Sequence, residues 1–213
     1  MRPVPDSAAE SAAHWDSVYG RKSYCEMSWY SAHLTRSLEL IDRFAPDRRS
    51  AIFEVGAGQS SILEDLAARG YANLAAIDLS RVALEALQAR MGALAMRVQW
   101  LTADICTANL PPQHFDLWHD RAVFHFLTES SQRTAYAANA ARAIKPGGHL
   151  MMQTFGPEGP LKCSGLETVR YDAEMLAAEF EDGFELREHG LDVHQTPSGA
   201  TQQFLYAVLR RKS

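Results

Sequence analysis

The stretch Ala51-Ile52-Phe53-Glu54-Val55-Gly56-Ala57-Gly58-Gln59-Ser60-Ser61 constrains this chain more than any other. An apolar run ending in an acid enters two closely spaced glycines and then a helix start, the pattern of a turn that cradles a nucleotide. Gly56 permits the tight bend after a strand, and Gly58 lets the backbone approach a ligand that a Cβ would hold away. In the dinucleotide fingerprint a third glycine packs helix against strand beside a pyrophosphate; here that position is Ser61. The turn predicts a nucleotide-like ligand without a pyrophosphate.

From about Arg49 onward, short β-rich runs alternate with helical patterns, which predicts an α/β fold with a parallel sheet covered by helices. The strand candidates are Ala51 to Val55, Leu74 to Ile77, Val98 to Leu101, Phe115 to Trp118 and His149 to Thr154. Ser61 and Glu64 form a capping box ahead of a helix that Gly70 ends, and Ser80 caps a helix that Gly92 stops. A third helix runs from about Ser130 to Ile144 and is ended by Pro146-Gly147-Gly148. Asp172 caps another through about Phe180. Phe184 to His189 and Gln203 to Leu209 then read as an antiparallel hairpin around Thr196-Pro197-Ser198-Gly199.

Four acids recur at the carboxyl ends of strands, Glu54, Asp78, Asp104 and Asp120, on the edge where open α/β sheets bind ligands. Asp78 stands 20 residues beyond Gly58, where a carboxylate accepts ribose hydroxyl protons. Asp104 is placed to accept a proton from an exocyclic adenine amine. A net charge of −5 over 213 residues disfavours a nucleic-acid surface. No apolar run approaches the roughly 18 residues of a membrane span. Cys25, Cys106 and Cys163 lie far apart, which argues against a disulfide framework or structural zinc. The start, Met1-Arg2-Pro3-Val4-Pro5-Asp6, lacks the apolar core of a secretory signal. A cytoplasmic protein, working as a monomer or weak dimer, is expected.

These motifs together resemble the class I S-adenosylmethionine-dependent methyltransferases over roughly residues 50 to 209. The matching stretches are Glu54-Val55-Gly56-Ala57-Gly58, Ile77-Asp78-Leu79-Ser80, Ala103-Asp104-Ile105, Phe115-Asp116-Leu117-Trp118-His119-Asp120 and Ile144-Lys145-Pro146-Gly147-Gly148-His149-Leu150. The resemblance implies a seven-stranded Rossmann-like sheet with helices on both faces and an antiparallel C-terminal hairpin. It divides the chain into an N-terminal helical cap at 1–48 and a methyltransferase domain at 49–213, one compact domain overall. It implies that Gly56 and Gly58 meet the methionyl and ribose part of S-adenosylmethionine, that Asp78 holds the ribose hydroxyls and that Leu79 packs on the adenine. Asp104 and the Ile105 amide would meet the adenine edge, and Asp120 the methionyl amine. The segment His14-Trp15-Asp16-Ser17-Val18-Tyr19 with Ser28-Trp29-Tyr30 is similar to the aromatic cap of the thiopurine-type and methyltransferase-like branches, which would bring Tyr19 and Trp29 to the cofactor. The alternative is that these rings only pack the first helix onto the sheet.

Charge agrees with that resemblance, since a sulfonium and an ammonium suit an acid-rich cleft better than a pyrophosphate does. The sulfonium is already a good leaving group, so the protein mainly aligns the acceptor for in-line displacement. The expected reaction is methyl transfer to a small-molecule acceptor through nitrogen, oxygen, sulfur or a heavier chalcogen. His125 is the candidate base, or a histidine hydrogen-bonded within helix packing. Arg121 either binds an acceptor carboxylate or neutralises the neighbouring acids. His119 is read as structural, Cys163 as an inert small residue and His194 as surface structure; a metal is not expected. The alternatives are a protein-lysine methyltransferase, which Arg121 opposes by repelling an ammonium, an NAD(P)-binding oxidoreductase, which leaves Ser61 and Asp104 unexplained, and a cofactor-binding protein without turnover.

Overall fold

Residues 51–55 are buried throughout, and in 73–78 only Asn73 is exposed. Burial on both faces is what a parallel strand between two helical layers requires. A computed structural model describes residues 8–213, so the reading of Met1 to Asp6 lies outside the described residues. Its elements are α1 (Ala8–Arg21), α2 (Thr35–Phe44), β1 (Ala51–Val55), α3 (Ile62–Ala68), β2 (Asn73–Asp78), α4 (Arg81–Met91), β3 (Val98–Thr102) and β4 (Phe115–Arg121). Then follow α5 (Ser130–Ala143), β5 (Ile144–Phe155), the two-residue strands β6 (Lys162–Cys163) and β7 (Leu166–Glu167), α6 (Ala173–Ala178), β8 (Phe184–Gln195) and β9 (Thr201–Arg211).

The seven long strands run in the order β3-β2-β1-β4-β5-β9-β8. Only β9 runs against its neighbours, pairing antiparallel with both β5 and β8. The α/β sheet with its antiparallel C-terminal hairpin is therefore as expected. Side chains of successive strand residues alternate between the faces and build two cores. One joins Phe53, Val55 and Trp118 to Tyr136 of α5 and Leu176 of α6. The other joins Ile52 and Leu117 to Leu40 of α2, Leu63 of α3 and Leu84 of α4. Since α2 supplies Leu38, Leu40 and Ile41 to that second core, the segment before the sheet shares its packing. No helix among the described residues is long and apolar enough to cross a membrane.

Local chemistry departs from the sequence reading in four places. The Ser61/Glu64 capping box does not form: Ser61 is already helical and makes no side-chain cap, while the Ser60 hydroxyl accepts from the Ile62 amide at 3.2 Å. Glu64 is instead paired with Arg90 at 2.9 Å. The Lys145-Pro146-Gly147-Gly148 segment is no separate turn but a bulge within β5, since Phe115 pairs with Ile144 and Leu117 already with His149. The C-terminal strands are longer than the sequence suggested: β8 and β9 stay paired from Phe184 with Arg211 to Gln195 with Thr201, and Gly190 within β8 leaves room for the Tyr206 ring. Conversely α6 stops at Ala178, and Phe180 closes a tighter turn onto Ala177.

One buried polar chain spans the core between sheet and α5. The Trp118 indole donates to Tyr136 Oη at 2.8 Å, and that hydroxyl donates to Asp120 Oδ2 at 2.6 Å. Tyr136→Phe strands both an indole N–H and a carboxylate oxygen, and urea unfolding at pH 8 is expected to show a loss of about 2–3 kcal/mol. Burial pushes Asp120 up to about 6 against that hydrogen bond. The loss should shrink at pH 5, where the carboxyl is neutral and the hydroxyl no longer stabilises a charge.

Candidate active site

The turn after β1 closes onto β2: the amides of Gly56 and Ala57 donate to the Ile77 carbonyl at 2.8 and 3.1 Å. Both glycines adopt left-handed backbone, φ 62° at Gly56 and 49° at Gly58. A Cβ at Gly58 would stand 2.3 Å from the Tyr19 hydroxyl, and one at Gly56 2.0 Å from Val123 Cγ2. The turn is thus glycine for two reasons, its conformation and the side chains that crowd it. Arg90 of α4 braces the far end, donating to the carbonyls of Gln59 and Ser60 at 2.9 and 3.0 Å as well as to Glu64. Nothing in the local sequence singles out Arg90; its guanidinium arrives from another helix.

A cleft opens at the carboxyl ends of β1 and β4, where the strand order reverses direction. Glu54, Gly56, Asp78, Leu79, Asp104 and Ile105 line one half of it. Asp78 accepts from the Gly58 amide at 2.8 Å and the Ser80 amide at 2.7 Å. Burial nevertheless pushes its carboxyl up to about 6, with those two amides opposing the shift. Asp104 accepts from the Cys106 amide at 2.8 Å. Glu54, 2% exposed, is engaged on Oε2 by His119 Nδ1 at 2.5 Å.

Asp120 is the acid that does not join them. Side-chain alternation along β4 points it toward α5, where Val123 N and Tyr136 Oη occupy its two oxygens at 3.0 and 2.6 Å. Its carboxylate is therefore committed to the fold, and of the four strand-end acids only Glu54, Asp78 and Asp104 line the cleft.

Aromatic side chains from the segment before the sheet roof the cleft. Ser11, Trp15 and Tyr19 lie at i, i+4 and i+8 on α1, and so share one helical face toward the cleft. Trp29 stands 6.1 Å, centroid to centroid, from both Trp15 and Tyr19, and Trp15 meets Phe126 edge-on at 5.0 Å. Asp16 anchors this helix by accepting from Ser80 Oγ at 2.6 Å. Burial, and then the charge of Asp78, hold the Tyr19 phenol well above its ordinary value, so it is neutral. Trp15 was read only as part of the aromatic segment and Ser11 not at all, although the four-residue spacing to Tyr19 is the signal that reveals both.

The other half of the cleft is mainly apolar, with Arg121, Gln202 and Glu167, the last paired with Lys162 at 2.7 Å, as its polar members. Phe126, Phe155, Cys163, Leu166 and Phe204 line it with Arg121. Arg121 lies 5.1 Å over the Phe204 ring and donates to the Trp29 carbonyl at 3.0 Å. Among the described residues no carboxylate comes within ion-pair distance of it; burial lowers its guanidinium to about 10, which leaves it charged. Ala122 beside it has φ 70°, a left-handed alanine of the kind found where a site dictates backbone.

His125 faces elsewhere. It is fully buried, stacked on Phe155 at 4.1 Å, and its Nδ1 accepts from the Phe155 amide at 3.2 Å. That bond uses the lone pair a base needs, and burial with the nearby Arg121 charge drives the imidazole down to about 3. His125 is thus held against β5 and away from the cleft, a placement that does not favour a role as base. Cys163 does line the cleft, but burial raises its thiol and keeps it protonated. His194, expected at the surface, is half-buried and donates to the Ser28 carbonyl at 2.8 Å.

Comparison with known proteins places this geometry. The family described as "Methyltransferase domain" matches residues 52–148. Over 159 residues the chain is 24% identical to the "eEF1A lysine and N-terminal methyltransferase" of Bos taurus, covering 71% of this chain and 22% of that protein. Over 116 residues it is 32% identical to an uncharacterized methyltransferase of Mycobacterium tuberculosis, covering 54% of this chain and 56% of the other. The chain thus spans from about a fifth to about half the length of these curated relatives. In fold it is similar to the Burkholderia thailandensis 1,6-didemethyltoxoflavin-N1-methyltransferase, solved with 1,6-didemethyltoxoflavin and S-adenosylhomocysteine bound. The TM-score is 0.72 at 17% identity, covering 100% of this chain and 94% of that one. The residues present fit such a cofactor: the carboxylates of Glu54, Asp78 and Asp104 line a cleft together with Gly56, which carries no Cβ.

Asp78 gives the site a pH signature. Its carboxylate, the form that could accept hydroxyl protons from a ligand in the cleft, is present above about 6 and lost below it. Calorimetry is expected to show affinity for S-adenosylhomocysteine falling about tenfold between pH 7.5 and pH 5. The unliganded protein should respond with the opposite sign. A raised folded-state pKa contributes stability at low pH that is lost as pH rises through about 6. Asp78→Asn should flatten the affinity profile; a profile unchanged by that substitution would remove Asp78 from the ligand.

The glycine turn, the acids at the strand ends and the switch in strand order thus fall within or beside the stretch, residues 52–148, that matches the methyltransferase-domain family.

Proposed function

We propose that the domain transfers the methyl group of S-adenosylmethionine to a small-molecule acceptor whose nucleophile is neutral or anionic when it binds. The observation that carries this reading is Arg121, a cation set among Phe126, Phe155 and Phe204 with no carboxylate paired to it among the described residues. A cation there attracts an anionic acceptor group, favours deprotonation of a thiol or hydroxyl, and repels an ammonium. The cofactor supplies an electrophilic methyl on a good leaving group.

The chain's own residues bind and align. In this reading Gly56 and Gly58 admit the methionyl and ribose part, Asp78 accepts the ribose hydroxyls, Leu79 packs on the adenine, and Asp104 with the Ile105 amide meets its edge. Glu54, rather than the committed Asp120, faces the amino-acid end. Tyr19 and Trp29 close over the cofactor with Trp15 and exclude water, and this aromatic roof supports kinship with the thiopurine-type and methyltransferase-like branches. Among the described residues no imidazole lines the acceptor half, in keeping with an acceptor that arrives ionised or loses its proton to solvent once the Arg121 charge has lowered its pKa. The similarity to the bovine lysine methyltransferase favours a protein-lysine acceptor as the second reading, against which the charge of Arg121 stands.

Incubation with methyl-labelled cofactor and a metabolite extract is expected to label a small molecule; label on protein alone would favour the second reading. Trp29→Ala should weaken S-adenosylhomocysteine binding tenfold or more, about 1.4 kcal/mol, by calorimetry. Arg121→Gln should leave that affinity within about twofold yet lower kcat/KM for the labelled acceptor by about tenfold or more. Equal effects on cofactor and acceptor would return Arg121 to a structural role.

A further inference from the structure

Behind Glu54 a chain of buried polar side chains crosses the core that is otherwise apolar. Glu54 Oε2 meets His119 Nδ1 at 2.5 Å, His119 Nε2 meets Ser37 Oγ at 2.9 Å, and Ser37 Oγ donates to Gln153 Oε1 at 3.3 Å. The four residues are 2%, 0%, 1% and 5% exposed. They come from β1, β4, α2 and β5, and Glu54 and His119 are direct cross-strand partners. Around them lie Ile52, Leu117, Met151 and Leu38. One end of the chain, Glu54, lines the cofactor half of the cleft, whereas the other end, Ser37 with Gln153, opens on a second cavity beside Arg121 and Asp192.

Holding α2 to the sheet does not call for such a chain. Buried polar groups replaced together by apolar side chains of similar volume commonly leave a fold as stable or more so, whereas loss of a single partner is costly. What an apolar set could not do is fix a carboxylate at the wall of a ligand cleft. His119 occupies Oε2, which fixes the plane of the carboxylate and leaves Oε1 without a protein partner among the described residues. Ser37 and Gln153 in turn fix the imidazole, the arrangement by which an outer polar shell orients the group that touches a ligand.

We propose that His119, held by Ser37 and Gln153, is a positioning residue for Glu54. It aims the free carboxylate oxygen at the ammonium of the cofactor's amino-acid end, and thereby sets how strongly the site distinguishes S-adenosyl compounds from nucleosides lacking that end. The proposal rests on S-adenosylmethionine occupying the cleft. It assigns His119, Ser37 and Gln153 a role in ligand selectivity rather than in folding alone.

The test compares two probes by calorimetry: S-adenosylhomocysteine, which carries the amino-acid end, and 5′-methylthioadenosine, which lacks it. His119→Leu is expected to weaken the first by about tenfold or more and to leave the second within about twofold. His119→Asn, whose amide can stand where Nδ1 does and donate to Glu54, should keep the first within about threefold of wild type. Ser37→Ala should show the same selectivity at smaller size, about threefold. It decides the matter if His119→Leu does not fold. Equal losses for both probes in these variants, or no loss for either, would overturn the proposal alone. Wild-type protein that binds neither probe would overturn the cofactor reading and this proposal with it.

Discussion

The carboxylate of Asp78 joins the two turns on which the cleft depends. One oxygen receives the amide of Gly58 from the turn after β1, and the other receives the amide of Ser80 at the start of α4. The Ser80 hydroxyl then accepts from Ala83 to cap α4 and donates to Asp16, which seats α1 and with it Trp15 and Tyr19. A single buried acid therefore sets the spacing between the floor of the cleft and its roof. The cost is visible in the same place: burial raises the carboxyl to about 6, so near neutral pH the folded protein holds a charge it would shed at slightly lower pH. A ligand that donates hydroxyl protons to that carboxylate offsets part of this cost.

Charge is distributed across the cleft so that its halves make opposite demands. Glu54, Asp78 and Asp104 gather at the ends of β1, β2 and β3, and Arg121 stands alone at the end of β4. On the proposed reading, the acid side suits the cofactor's cationic groups and the Arg121 side an anionic acceptor group. The aromatic side chains of Trp15, Tyr19 and Trp29 cover the cleft from α1 and the segment after it. His125, stacked and buried behind this half, contributes packing and not proton transfer.

The sheet was legible because its signals are local. Apolar runs of strand length, glycine where φ turns positive, Ser80 and Asp172 as caps and Gly92 as a stop each depend on a few neighbouring residues, and each stands where the sequence put it. The acids at the strand ends were legible for the same reason, since position along a strand fixes which edge of the sheet a residue reaches. Even there the reading was incomplete, because edge and face are different questions. Asp120 reaches the right edge but lies on the α5 side, and only the pairing of β4 with β1 and β5 decides that.

What the sequence by itself determined, then, was the α/β architecture, the glycine turn and the positions of four acids at strand ends, all properties of short segments, whereas the structure brings only Glu54, Asp78 and Asp104 of them into the cleft. The tertiary structure alone decided which side chains meet across long separations. It put Arg90 under a turn 30 residues earlier, His119 against Glu54 at a separation of 65, and Ser37 against His119 at 82. It also withdrew His125 from the chemistry by giving its lone pair to a backbone amide 30 residues away. The physical reason is that propensity and periodicity are written in neighbouring residues, whereas the partner of a buried polar group is chosen by the packing of the whole core.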